Sequence, residues 1–134
     1  MISTLISFIL IIIASVSNAL MDVLSYRYER SIFANAKNQQ FYNPAISWKN
    51  KYLNHDPEQG KAFVGSTTFL VGFTDAWHLA KTIMLLCFIS AIVIGFGLGA
   101  WSLFLIPLLY MVYGTVFELC WNIIFIKKKK NESI

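Results

Sequence analysis

The sequence predicts an all-α integral membrane protein: one membrane domain over residues 1–134, with three transmembrane helices and a charged central region folded on the inner membrane surface. Three observations predict it. Residues 2–21 carry no charge, and residues 82–117 form an uncharged run of 36 broken only by the glycine cluster Gly95, Gly97 and Gly99. Hydrophobic residues make up 57% of the chain, above the roughly 45–50% of ordinary soluble domains. The 11 Lys and Arg residues all follow the first hydrophobic segment.

A helix of about 20 apolar residues crosses the roughly 30 Å hydrocarbon core, so residues 2–21 suit one span. Helical periodicity is expected to continue through Tyr28 or Arg30. Ser17-Asn18-Ala19 has the small-residue spacing of a signal-peptide cleavage site. No basic residue precedes the apolar core, however, and removal would leave the central loop and the lysine tail outside, against the positive-inside bias. Retention as an N-terminal anchor is therefore the expectation.

The central region, residues 22–75, is read as ordered by association with the spans. It holds a polar, turn-rich stretch from Asn35 to Asn43 and a short amphipathic piece from Ile46 to Leu53. Asn43-Pro44 and Asp56-Pro57 force the chain out of helix at the residue before each proline, which predicts two turns. Ala62 to Phe73 is apolar but only 12 residues long, too short to span and suited to an interfacial or re-entrant segment.

A second span is predicted over residues 76–94, capped by Thr74 or Asp75, with Trp77 at the depth of an interfacial aromatic. The glycine cluster turns the chain, and residues 100–126 return across, kinked at Pro107. Lys127 to Lys130 open a basic tail, residues 127–134, that stops transfer. This topology puts the N-terminus outside, and the central region and C-terminus on the cytoplasmic side with the positive charges.

The net charge of +4 belongs to a loop and a tail beside membrane spans. It points to the lipid bilayer and its anionic headgroups as partners and not to nucleic acid. Trp48, Lys49 and Lys51 fit a segment lying on headgroups, and a protein partner docking on the central region is the alternative. Cys87 and Cys120 lie inside predicted spans and form no CxxC pair, so they read as packing residues.

Polar groups on the three predicted spans converge on the inner leaflet. Asn18, Asp22, Ser25 and Glu29 share a face of the first helix, and Asp75, His78 and Thr82 share a face of the second. Glu118 and Asn122 lie one turn apart on the third, with Glu118 nine residues before Lys127, about 13 Å of helix rise. A charge inside a span costs several kcal/mol unless paired or hydrated, so these groups are expected to face the bundle interior or a wet cavity.

Asp22, Asp75, His78 and Glu118 are thus the candidate catalytic and metal-ligating residues. The carboxylates offer hard oxygen ligands and His78 a nitrogen, a set that suits a divalent metal ion polarising a lipid phosphate. Without metal, a carboxylate and His78 supply a general base and acid. The residues fit a structural polar clamp equally well, and no HExxH, DxD or nucleotide-binding loop decides between them. Three functions stay open: an interfacial enzyme acting on a lipid or phosphate-bearing substrate, a non-catalytic membrane adaptor or assembly subunit, and an oligomeric proton or ion conductor titrating at Glu118.

Overall fold

Two long helices dominate the computed structural model, which describes residues 2–97, 99–101, 104–108 and 110–111. Helix α1 (Ile2–Tyr26) and helix α4 (Ala76–Gly95) are each long and apolar enough to cross a membrane. Between them lie two single-turn helices, α2 (Gln39–Tyr42) and α3 (Pro44–Ser47), and a series of 3₁₀ turns. The described residues are all-helical, with one isolated antiparallel bridge between Tyr52 and Lys61 and no strand.

Helices α1 and α4 pack along their length. Ser7 Oγ donates to Ala91 O at 3.0 Å, and Trp77 Nε1 donates to Ser25 Oγ at 3.0 Å. The start of each helix therefore meets the end of the other, and the pair is antiparallel. The buried residues are mostly small: Ala14 and Ser17 on α1, Ala76, Ala80 and Ala91 on α4. Small side chains let helix backbones approach closely.

Helix α1 stops at Tyr26, short of the Tyr28 or Arg30 expected from periodicity. Arg27 leaves helical backbone at φ −136° and ψ 20°, and a separate 3₁₀ turn, Tyr28–Arg30, follows. Tyr28 is drawn inward instead, its hydroxyl bonded to Gln39 Oε1 and its ring packed with Leu24 and Ala76. Glu29 consequently leaves the face it was expected to share with Asp22.

The central region is punctuated by side-chain caps. Asn38 Oδ1 accepts from Phe41 N at 3.2 Å, Asn43 Oδ1 from Ala45 N at 3.0 Å, and Asp56 Oδ1 from Glu58 N at 3.0 Å. Asn43 and Asp56 are extended, and the prolines after them take the first positions of α3 and of the turn Pro57–Gln59. The expected turns therefore also start helices, since proline's fixed φ and missing donor suit a first turn. Asn38 likewise caps α2 inside the stretch expected to be turn-rich.

Three polar side chains tie this region together. Gln39 Nε2 donates to Ala36 O at 2.6 Å, Ala34 O at 3.1 Å and Phe33 O at 3.2 Å. Asn50 exchanges bonds with Gln40 and also donates from Nδ2 to Thr74 O at 2.8 Å. Ser66, with none of its surface exposed, donates to Lys51 O at 2.7 Å. These hydrogen bonds compensate for a small apolar core of Leu24, Tyr28 and Ala76, edged by Leu20, Phe33, Phe41, Tyr42 and Trp77.

After α4 the glycine turn forms as expected, with Gly97 at φ 69°, a conformation that L side chains rarely adopt. Residues 104–108, including Pro107, are helical. Tyr110 OH lies 3.3 Å from Thr82 Oγ1, so this stretch folds back along α4. Lys81 sits in the second turn of α4 and not in a loop, its Nζ 5.3 Å from the centre of the Trp77 ring.

Candidate functional site

The N-terminal end of α4 is where the polar residues meet. Asp75 has extended backbone and caps the helix, Oδ1 accepting from His78 N at 3.0 Å. Its other oxygen, Oδ2, lies 2.7 Å from His78 Nδ1. Thr74 Oγ1 stands 2.7 Å from Val71 O and 3.1 Å from Asp75 Oδ2, sharing its proton between them. A buried carboxylate is costly unless fully hydrogen-bonded, and this one is: the Asp75 side chain is 2% exposed and has three donors around it.

The spacing of three residues makes this arrangement. An aspartate at the cap position sits beside the amide and side chain three positions on, so one carboxylate holds both ends of His78. With Nδ1–H directed at the carboxylate, the neutral imidazole leaves the Nε2 lone pair as its basic site. Among the described residues Nε2 has no hydrogen-bond partner, and the His78 side chain keeps 21% of its surface exposed.

A cleft of about 220 Å³ opens beside the pair, lined by Ser25, Pro44, Ser47, Trp48, Asp75, Trp77 and His78. It is smaller than pockets that enclose a whole drug-sized molecule, and suits a headgroup-sized fragment or water. Trp77 sets its wall: the indole N–H is fixed on Ser25 and its ring meets the His78 ring edge-on at 5.0 Å. Trp48 forms another part of the lining, with Lys49 Nζ 5.7 Å from its ring centre. Lys81 over Trp77 and Lys49 over Trp48 thus place cations on both indoles that line the cleft.

Of the four candidate residues, the structure brings together Asp75 and His78. Asp22 is exposed on α1 and lines neither this cleft nor the open surface around the end of that helix. Asn18 is exposed as well, because the packed face of α1 is the neighbouring one through Ala14, Ser17 and Leu24. Glu118, Asn122, Cys120 and the lysine tail lie outside the described residues. His78 finds a partner in the cap of its own helix.

Among the described residues no group of three His, Cys, Asp or Glu side chains gathers to hold a metal ion. Both oxygens of Asp75 and the Nδ1 of His78 are already engaged. Ser47 and Pro44 line the cleft, although sequence marked Pro44 only as a break and Ser47 not at all. Neither is periodic with α4, and only the fold of the central region carries them there. Cys87 is a free thiol on α4.

Comparison with known protein families, with curated proteins and with solved structures returns no match for this chain.

Proposed function

We propose that this chain is a small multi-pass membrane protein acting as an interfacial enzyme, with Asp75 and His78 handling a proton on a lipid or phosphate-bearing substrate. The observation that carries the reading is His78 Nδ1 held 2.7 Å from a buried Asp75 carboxylate at the edge of a cleft.

The membrane assignment draws on exposure. In the most apolar windows of α1 and α4 only 11% and 17% of residues are buried, whereas a core helix of a soluble protein is mostly buried. Phe8, Ile12 and Val16 on α1 and Phe88 and Ile92 on α4 all face outward. Water makes such surfaces costly and acyl chains do not. The Thr82–Tyr110 contact supports a third span returning beside α4. With three spans the N-terminus is outside, and the central region and lysine tail are cytoplasmic, consistent with the positive-inside bias.

At the inner surface the chemistry runs through His78. Water attacks the carbonyl or phosphoryl centre of the substrate and gives its proton to Nε2. The imidazolium, stabilised by Asp75, then returns that proton to the departing alkoxide. Lys49 and Lys81 favour a negatively charged headgroup near the cleft. The test is turnover by the full chain reconstituted in anionic glycerophospholipid vesicles, followed as fatty acid or phosphate released. His78→Ala is expected to lose it while remaining inserted, and undiminished release would refute the reading.

A second reading, a membrane adaptor, draws on Trp48, 41% exposed, and on Lys49 and Lys51 beside the rings of Trp48 and Tyr52. It expects Trp48→Ala with Lys49→Ala to release a co-purifying protein that His78→Ala retains. The ion-conductor reading rests on Glu118 and gains no support from the described residues.

A further inference from the structure

The segment from Phe63 to Phe73 joins the central region to α4 and contains no charged residue. Its large apolar side chains point away from the protein: Val64 is 85% exposed, Phe69 59% and Phe73 73%. Gly72, in contrast, is buried against α4, where an added Cβ would stand 2.4 Å from Thr82 Oγ1. Thr82 is six residues beyond Ala76, so the segment runs alongside α4 to a depth of about 9 Å from that helix's start.

Part of its backbone is hydrogen-bonded within the segment. Amides of Ser66, Thr68, Val71, Phe73 and Thr74 each donate to the carbonyl three residues back, and Leu70 N donates to Gly65 O. The hydroxyls of Thr68 and Thr74 bond to carbonyls inside the segment, and Ser66 bonds outward to Lys51 O. Non-helical backbone near lipid is tolerated where its polar groups are satisfied by protein. Lys61 lies two residues before the segment and Lys51 O accepts from Ser66 Oγ near its start, so basic residues that complement phosphate headgroups flank it.

We infer that Phe63 to Phe73 is seated in the bilayer, with Phe69 and Phe73 among the acyl chains just below the headgroups of the leaflet that holds the start of α4. The partner of this surface is lipid. Depth along an apolar helix, an uncharged exposed face and basic residues at its start select acyl chains over a soluble protein. The inference rests on α4 spanning the membrane and is independent of any chemistry at His78.

The test uses the full chain in liposomes, with Cys87→Ala and Cys120→Ala, spin-labelled singly at Phe69→Cys or Phe73→Cys. Controls are Phe8→Cys on α1 and Glu58→Cys in the exposed loop. Labels at 69 and 73 are expected to collide more with oxygen than with a water-soluble nickel chelate, as at position 8 and opposite to position 58. Labels at 69 and 73 that match position 58 while position 8 stays lipidic would overturn the seating alone. An aqueous signal at position 8 as well would overturn the membrane reading beneath it.

Discussion

Asn50 holds the central region to the entrance of α4 by a hydrogen bond from Nδ2 to the carbonyl of Thr74, 2.8 Å long and bridging 24 residues of sequence. The same amide group donates to Gln40 O, and its Oδ1 accepts from Gln40 Nε2. Asn50→Ala leaves these partners without a protein bond and is expected to cost about 1–3 kcal/mol. Asn50→Asp keeps the acceptor but loses both donated bonds and is expected to destabilise as well. Thermal unfolding in detergent measures both, and an unchanged midpoint in Asn50→Ala would show that water replaces these bonds at little cost.

Gly72 and Thr82 set the closest approach between the pre-helix segment and α4. A methyl at position 72 would meet Thr82 Oγ1 at 2.4 Å and Thr82 Cβ at 3.0 Å. Gly72→Ala is therefore expected to destabilise by about 1–3 kcal/mol, the usual range for an overpacked site. Thr82→Ala removes the closer atom and should recover part of that loss in the double variant, although alone it gives up the contact with Tyr110. Simple additivity in the double-mutant cycle would mean that the two positions do not touch in solution.

Long-range features of this fold were legible where one residue type decides the outcome. Uncharged runs marked α1 and α4, and the prolines at 44 and 57 marked breaks, because each is a local physical constraint. Asp75 and His78 were legible as neighbours on one helix face, but their use of each other was not. Asp75, extended at the cap, bonds to His78 directly, and Glu118, set by sequence at a similar depth, lies outside the described residues. Asn50 and Gln39 carried no pattern at all, since most of their partners are backbone carbonyls set by the path of the loop. The expected stripe of Asn18, Asp22, Ser25 and Glu29 does not face the bundle interior: Glu29 lies beyond α1, Asn18 and Asp22 are exposed, and the small residues Ala14 and Ser17 determine which face packs.

Asp56 supplies a pH prediction. Its carboxyl is held below the ordinary value of 3.8 by the amide of Glu58 first, then by the side chain of Gln59, with Lys49 adding to the effect. A lowered folded-state pKa means that the stabilisation is fully present above the unfolded value and disappears as pH falls through the lowered one. The turn Pro57–Gln59 is therefore expected to hold from neutral pH down to about the unfolded carboxylate range and to loosen only in stronger acid. Carbon-13 chemical shifts of the Asp56 carboxyl, followed against pH, give the midpoint directly. A midpoint at or above the ordinary value would contradict the cap.

Asp75 separates the enzyme from the clamp. Asn caps a helix about as well as Asp, whereas Ala lacks the acceptor and costs about 0.5–2 kcal/mol. Asp75→Asn retains an oxygen for His78 N but replaces the anion that stabilises a protonated His78. If the residue serves only as a cap and clamp, Asp75→Asn should unfold near the wild-type temperature and Asp75→Ala well below it, with no catalytic activity in any variant. If the pair transfers protons, vesicle-lipid turnover should fall by at least an order of magnitude in Asp75→Asn while its unfolding temperature stays close to wild type. Circular dichroism melts and lipid hydrolysis on the same preparations read both quantities, and full turnover in a stably folded Asp75→Asn would remove Asp75 from the chemistry.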